Sequence, residues 1–124
     1  MNYRDDVLYT KDHIWAKLED NYYLIGITFF AQELLGDIVY LDIKNGKVFE
    51  KSSAIGIIES VKTASDIVAP DKGEIIQINS EIEKQPEKIN ENPHGNWICK
   101  VRFASEKSQI DFLSPEEYLN LIKT

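Results

Sequence analysis

Lys62 stands in Glu59-Ser60-Val61-Lys62-Thr63-Ala64-Ser65-Asp66, a polar break between two β-like runs. Ala54-Ile55-Gly56-Ile57-Ile58 precedes it and Ile67-Val68 follows. By default a lysine in a turn is only a solvated side chain. An amine can also be acylated, but a modifying enzyme must first find it and deprotonate it. That requires a lysine standing clear of its neighbours at a fixed height, as at the tip of a tight hairpin. Val61, Thr63 and Ala64 beside it are compact, and Glu59 and Asp66 bracket the tip with negative charge. The Asp66 side chain is suited to bonding turn amides.

The remaining side chains offer no competing chemistry. His13 and His94 are far apart and Cys99 is alone, so no pair has metal-ligand spacing. Both histidines read as surface or packing residues. No nucleophile elbow, GxGxxG or P-loop occurs. Cys99 lies inside a strand pattern, where a thiol packs as a small hydrophobe. Glu116 and Glu117 follow Ser114-Pro115 and are explained by helix capping and the helix dipole. A domain without a catalytic set of its own can carry a cofactor used by other proteins.

The elements that must hold Lys62 follow from periodicity. At 124 residues and 43% hydrophobic, the chain is expected to form one domain, residues 1–124. Period-two alternation dominates. His13 to Glu19 puts Ile14, Ala16 and Leu18 on one side, and Asp20-Asn21 turns the chain into Tyr22 to Ile27. Thr28 caps a short helix from Phe29 to Leu35 and Gly36 ends it. Ile38 to Ile43, Ala54 to Ser60, Asp66 to Ala69 and Glu74 to Asn79 read as further strands. Asn79 to Pro93 reads as loop with one helical turn. Trp97 to Phe103 is the last strand, with Trp97, Cys99, Val101 and Phe103 sharing a face. Ser114 opens a final helix whose apolar side is Leu119 and Ile122.

Charge and hydropathy exclude several partners. The net charge of -7, with no basic cluster, disfavours nucleic acid. No apolar run approaches the roughly 20 residues a membrane helix needs. One cysteine allows no intrachain disulfide, which suits a reducing compartment. The opening Met1-Asn2-Tyr3-Arg4-Asp5-Asp6 lacks a secretory hydrophobic core and is too acidic for an organellar transit segment.

Glu59 to Asp66, followed by Ala69-Pro70 and Gly73-Glu74, resembles the lipoyl-attachment signature of the glycine cleavage system H-protein family. Tyr9-Thr10-Lys11-Asp12-His13-Ile14-Trp15 resembles that family's opening, and Gly26 to Val39 and Ile89 to Trp97 resemble later parts of it. The resemblance runs from Tyr9 to the C-terminal helix. It is specific, because biotin domains usually have Met on both sides of the lysine, and the lipoyl domains of 2-oxoacid dehydrogenases usually have Asp before it.

The resemblance implies a mainly β barrel-sandwich hybrid of lipoyl/biotinyl type, with a short internal helix and a C-terminal helix. It implies lipoate joined to Lys62 by an amide bond, with Glu59 and Asp66 as context for attachment. Asp12, His13, Ile14 and Asp66 become candidates for a cleft that shelters the loaded arm. The implied role is a non-catalytic shuttle of glycine catabolism and one-carbon metabolism. An aminomethyl group passes from glycine decarboxylase (P protein) to aminomethyltransferase (T protein), and electrons pass to dihydrolipoyl dehydrogenase (L protein). A lipoate-attaching enzyme is a further partner. The family analogy implies a monomer, cytoplasmic in a bacterium or in the mitochondrial matrix if the chain is a processed eukaryotic one.

This chain departs from the family pattern in places. The family usually has Glu where Ile14 stands, and isoleucine cannot accept a hydrogen bond from the amine of the loaded arm as that carboxylate does. Ser52 stands where a turn glycine is common, and His94 replaces a usual Tyr. The Ile14 departure motivates an alternative, an H-like relay that donates lipoyl groups to 2-oxoacid dehydrogenase complexes. An unmodified binding domain and a free-standing enzyme are weaker alternatives.

Overall fold

In the computed structural model, residues 3–123 are described; Met1 and Asn2 of the acidic opening, and Thr124, lie outside the described residues. The alternating segments become strands β1 (Leu8–Tyr9), β2 (Ile14–Glu19), β3 (Tyr22–Ile27), β4 (Ile38–Asp42), β5 (Val48–Phe49), β6 (Ala54–Ser60), β7 (Ala64–Val68), β8 (Gly73–Ile78) and β9 (Cys99–Phe103). Helices α1 (Phe29–Leu35), α2 (Ser80–Lys84), α3 (Lys88–Glu91) and α4 (Pro115–Ile122) join them. All pairings between named strands are antiparallel. One sheet has the order β1-β2-β3-β9-β8-β5 and the other β4-β6-β7. The two form a sandwich rather than a closed barrel.

Burial explains the pairing. Ile14, Ala16, Ile25 and Ile27 from the larger sheet meet Ile38, Leu41, Ile55, Ile58 and Ile67 from the smaller one in a single apolar cluster. Each isoleucine so buried contributes roughly 1.5–3 kcal/mol relative to exposure. β-Branched side chains suit the pleated surface and the sandwich interior. Cys99 is fully buried in this cluster, and burial pushes its thiol up to about 12, so it stays protonated and inert.

Several expectations need correction. Leu18 is exposed while Trp15, on the other face of β2, is buried. That face is covered by a second cluster of Val7, Tyr9, Trp15 and Tyr118, so β2 is buried on both sides near its start. Trp97 precedes β9 and packs on this second cluster, whereas Cys99, Val101 and Phe103 belong to the first. The stretch 79–93 forms two short helices rather than one turn. Each buries a single isoleucine, Ile82 and Ile89, and one apolar residue per helix leaves no periodic signal.

The final helix starts as its sequence requires. Glu117 N donates to Ser114 Oγ (3.1 Å) and Ser114 N donates to Glu117 Oε1 (2.8 Å), a complete capping box with Pro115 in the first turn. Its anchor is Tyr118, not Leu119, which is 38% exposed. The Tyr118 ring stacks on Tyr9 at 4.6 Å and Ile122, one turn later, packs beside it.

His94 is a packing residue with an acid-base consequence. It is 2% exposed, stacks on Phe29 at 4.6 Å, and neither ring nitrogen has a hydrogen-bond partner. Tyr3 and Tyr9 close the cage, and Arg4 Nη1 donates to the His94 carbonyl (3.0 Å). Burial, with the nearby Arg4 charge, lowers its pKa to about 4. The unfolded chain takes up this proton near pH 6.5, before the folded chain does. Stability from neutral His94 is therefore full above pH 6.5 and drains as pH falls toward 4, by about 3 kcal/mol. His94→Phe should flatten the decline in melting temperature over this window. Equal slopes in the two proteins would show that His94 is not the sensing group.

Candidate functional site

The run before Lys62 is β6 and the run after it is β7, closed by the pair Glu59↔Ala64. Ser60, Val61, Lys62 and Thr63 make the turn, and every one of their backbone amides is bonded. Ser60 N donates to Thr63 O (2.7 Å) and Val61 N donates to Asp37 O (3.0 Å). Lys62 N (3.2 Å) and Thr63 N (3.1 Å) both donate to Ser60 Oγ. The Ser60 hydroxyl in turn donates to Thr63 O (3.2 Å). A turn with its amides satisfied holds its side chains at a defined height while Val61 to Asp66 remain exposed.

Ser60 thus does what Asp66 was expected to do. Asp66 lies in β7 opposite Ile57, and the serine is better placed because its hydroxyl sits inside the turn. Glu59 is exposed on β6, opposite Tyr40 of β4 and Ala64 of β7.

Next to this turn lies a cavity of about 160 Å³. The turn between β1 and β2 supplies Asp12 and His13 to its wall, the start of β2 supplies Ile14, and β7 supplies Ser65, Asp66 and Ile67. Ile27, Ile58 and the α1 residues Ala31, Leu34 and Leu35 complete it. The structure therefore brings Asp66 together with Asp12, His13 and Ile14, which lie about fifty residues earlier in the sequence. Glu59 does not reach the wall. Asp12, Ser65 and Asp66 are exposed, and Ile14, Ile27, Ile58 and Ile67 are buried. Such a lining accepts an aliphatic chain and offers polar groups where it meets solvent.

His13 is held firmly in the wall. Its backbone is left-handed, with φ 68°. Its Nδ1 lies 2.9 Å from the Tyr118 hydroxyl, which shares a 2.7 Å hydrogen bond with Thr28 Oγ1. Thr28 caps α1 by accepting from Ala31 N (3.2 Å), and Thr28 N donates to His13 O (3.1 Å). Burial lowers the pKa of His13 while the Asp12 charge opposes it. The α1 wall residues were not legible as site residues, because nothing in a short amphipathic helix says which cavity it will line. Leu34 is the clearest among them, an apolar side chain left 61% exposed.

With this geometry in place, similarity to known proteins is informative. A family model described as Glycine cleavage H-protein matches residues 7–124. A glycine cleavage system H protein of Listeria innocua is 44% identical over 120 residues, covering 95% of this chain and 96% of that protein. One from Thermus thermophilus is 41% identical over 126 residues, covering 100% and 98%. The crystal structure of such a protein from Mycobacterium marinum superposes with a TM-score of 0.85 at 30% identity, covering 95% of this chain and 97% of that one.

Ser60→Ala removes the acceptor of two turn amides. It should cost about 1 kcal/mol of stability and selectively speed amide exchange at Lys62 and Thr63. Unchanged exchange at those two amides would show that the flanking strands alone hold the turn.

Proposed function

Because this chain belongs to the glycine cleavage H-protein family, we propose that it is a lipoylated carrier, modified on Lys62, that serves the enzymes of glycine cleavage. The observation that carries this reading is an exposed lysine on a fully bonded turn beside an apolar cavity. The residues fit the group. Lys62 offers the amine for an amide bond, and acylation would remove its positive charge. Ile14, Ile27, Leu34, Leu35 and Ile67 offer apolar surface to the arm's methylenes, while Asp12, His13 and Asp66 offer polar contact. When bound, lipoate supplies a reversible disulfide-dithiol couple. The protein's own part is to fix the point of attachment, shelter the arm from water and raise its effective concentration at each partner.

The partners of this reading are glycine decarboxylase, aminomethyltransferase, dihydrolipoyl dehydrogenase and a lipoate-attaching enzyme. The aminomethyl group passes between the first two and electrons pass to the third. This protein catalyses none of these steps. Its net charge of -7 favours transient docking on basic patches. No helix among the described residues is long and apolar enough to cross a membrane.

Ile14 favours a second reading. It is 1% exposed in the wall, where a carboxylate would bond an amine and isoleucine cannot. A carrier lacking that contact suits a relay that passes lipoyl groups to 2-oxoacid dehydrogenase complexes.

Intact-mass measurement of the native protein should show an amide-linked lipoyl group, absent from Lys62→Arg; an unmodified native pool would favour a plain binding domain. Mixed with glycine decarboxylase, the lipoylated protein should support exchange between CO2 and the glycine carboxyl carbon. No exchange, together with lipoyl transfer to another domain, would select the relay.

A further inference from the structure

Gly36 ends α1 at φ 85° and ψ -154°, a backbone region essentially confined to glycine, with its amide donating to Gln32 O (2.9 Å). It is also the place the Lys62 side chain crosses. A β-carbon on Gly36 would lie 2.9 Å from Lys62 Cε and 3.4 Å from Nζ. The first distance is closer than a β-carbon tolerates, so any side chain there must push the lysine stem away.

The link after α1 is fixed from both sides. Asp37 O accepts the Val61 amide, which ties the lysine turn to it. Gln32 Nε2 donates to Gly36 O (3.2 Å) and to Asn90 Oδ1 (3.3 Å). Asn90 in α3 then clamps the start of β4: its Oδ1 accepts from Ile38 N (2.8 Å) and its Nδ2 donates to Ile38 O (3.0 Å). Neither Gly36 nor the turn can shift without breaking these bonds.

We infer that Gly36 is a positioning residue for the arm on Lys62. Its missing side chain forms a seat on which the lysine stem lies against the end of α1, beside Leu34 and Leu35 of the cavity wall. The inference rests on the carrier reading and adds to it a determinant of where the arm points. Filling the seat leaves the amine available for acylation but lifts the arm off the cavity.

Gly46 provides a matched control. It too has positive φ, 76°, yet a β-carbon there meets nothing within 4 Å. Gly36→Ala and Gly46→Ala both place an L side chain at positive φ, and only the first fills the seat. Should Gly36→Ala fold poorly, the contact between Gly36 and Lys62 in the unmodified wild type still decides the test.

The experiment is NMR on isotope-labelled protein with and without the lipoyl group, with intact mass recorded for each sample. Unmodified wild type should show an NOE between Gly36 Hα and Lys62 Hε. Lipoylated wild type and Gly46→Ala should show NOEs from arm methylenes to the Leu34 and Leu35 methyls. Gly36→Ala should gain the lipoyl mass yet lose those NOEs by at least half. An absent Gly36–Lys62 NOE in wild type, or arm contacts retained in Gly36→Ala, overturns the seat alone. A wild-type chain that never gains the mass overturns the carrier reading and this inference with it.

Discussion

The hydrogen bond from the Val61 amide to the Asp37 carbonyl is the joint on which the site depends. Two strands alone would leave the tip of a hairpin free to sway. This bond ties the tip to the link after α1, and the Ser60 hydroxyl satisfies the two amides that remain. The lysine therefore projects from a point fixed in three directions: by β6, by β7 and by the end of a helix. A carrier with a long flexible arm needs such a fixed root, because every uncertainty at the root is multiplied along the arm.

The cavity beside the root is built by distant parts of the chain, and one short network joins them. Tyr118 of the last helix reaches His13 and Thr28 at once, so the C-terminal helix, the β1–β2 turn and the cap of α1 hold one another. The same tyrosine stacks on Tyr9 under the second apolar cluster. Core packing and site geometry thus share one residue. The wall also holds an aliphatic Ile14 among groups able to bond a polar arm, which leaves Asp12, His13, Ser65 and Asp66 as its polar members.

Local rules were readable where they act over a few residues. The Ser114 capping box, the Thr28 cap, the positive-φ Gly36 and the two strands around Lys62 all appear as their residues require. Ser52, standing where a glycine is common, does adopt φ 68°. Failures came where burial is set by distant segments. Leu18 has the right alternation but runs past the edge of the core, and Trp15 is covered by a helix a hundred residues away. Ile82 and Ile89 are lone apolar residues in polar surroundings, and only the sandwich shows that both are fully buried.

By itself the sequence determined the β-rich class, the caps of α1 and the start of α4, the lysine on its turn and the family, because each is written in neighbouring residues and their spacing. Tertiary structure decided the rest: that Ser60 rather than Asp66 bonds the turn, that Asp12, His13, Ile14 and Asp66 share a wall, and that Gly36 lies beneath the lysine. The physical reason is range. Capping and alternation are satisfied within one turn or strand, whereas a cavity and a seat exist only where separate elements meet.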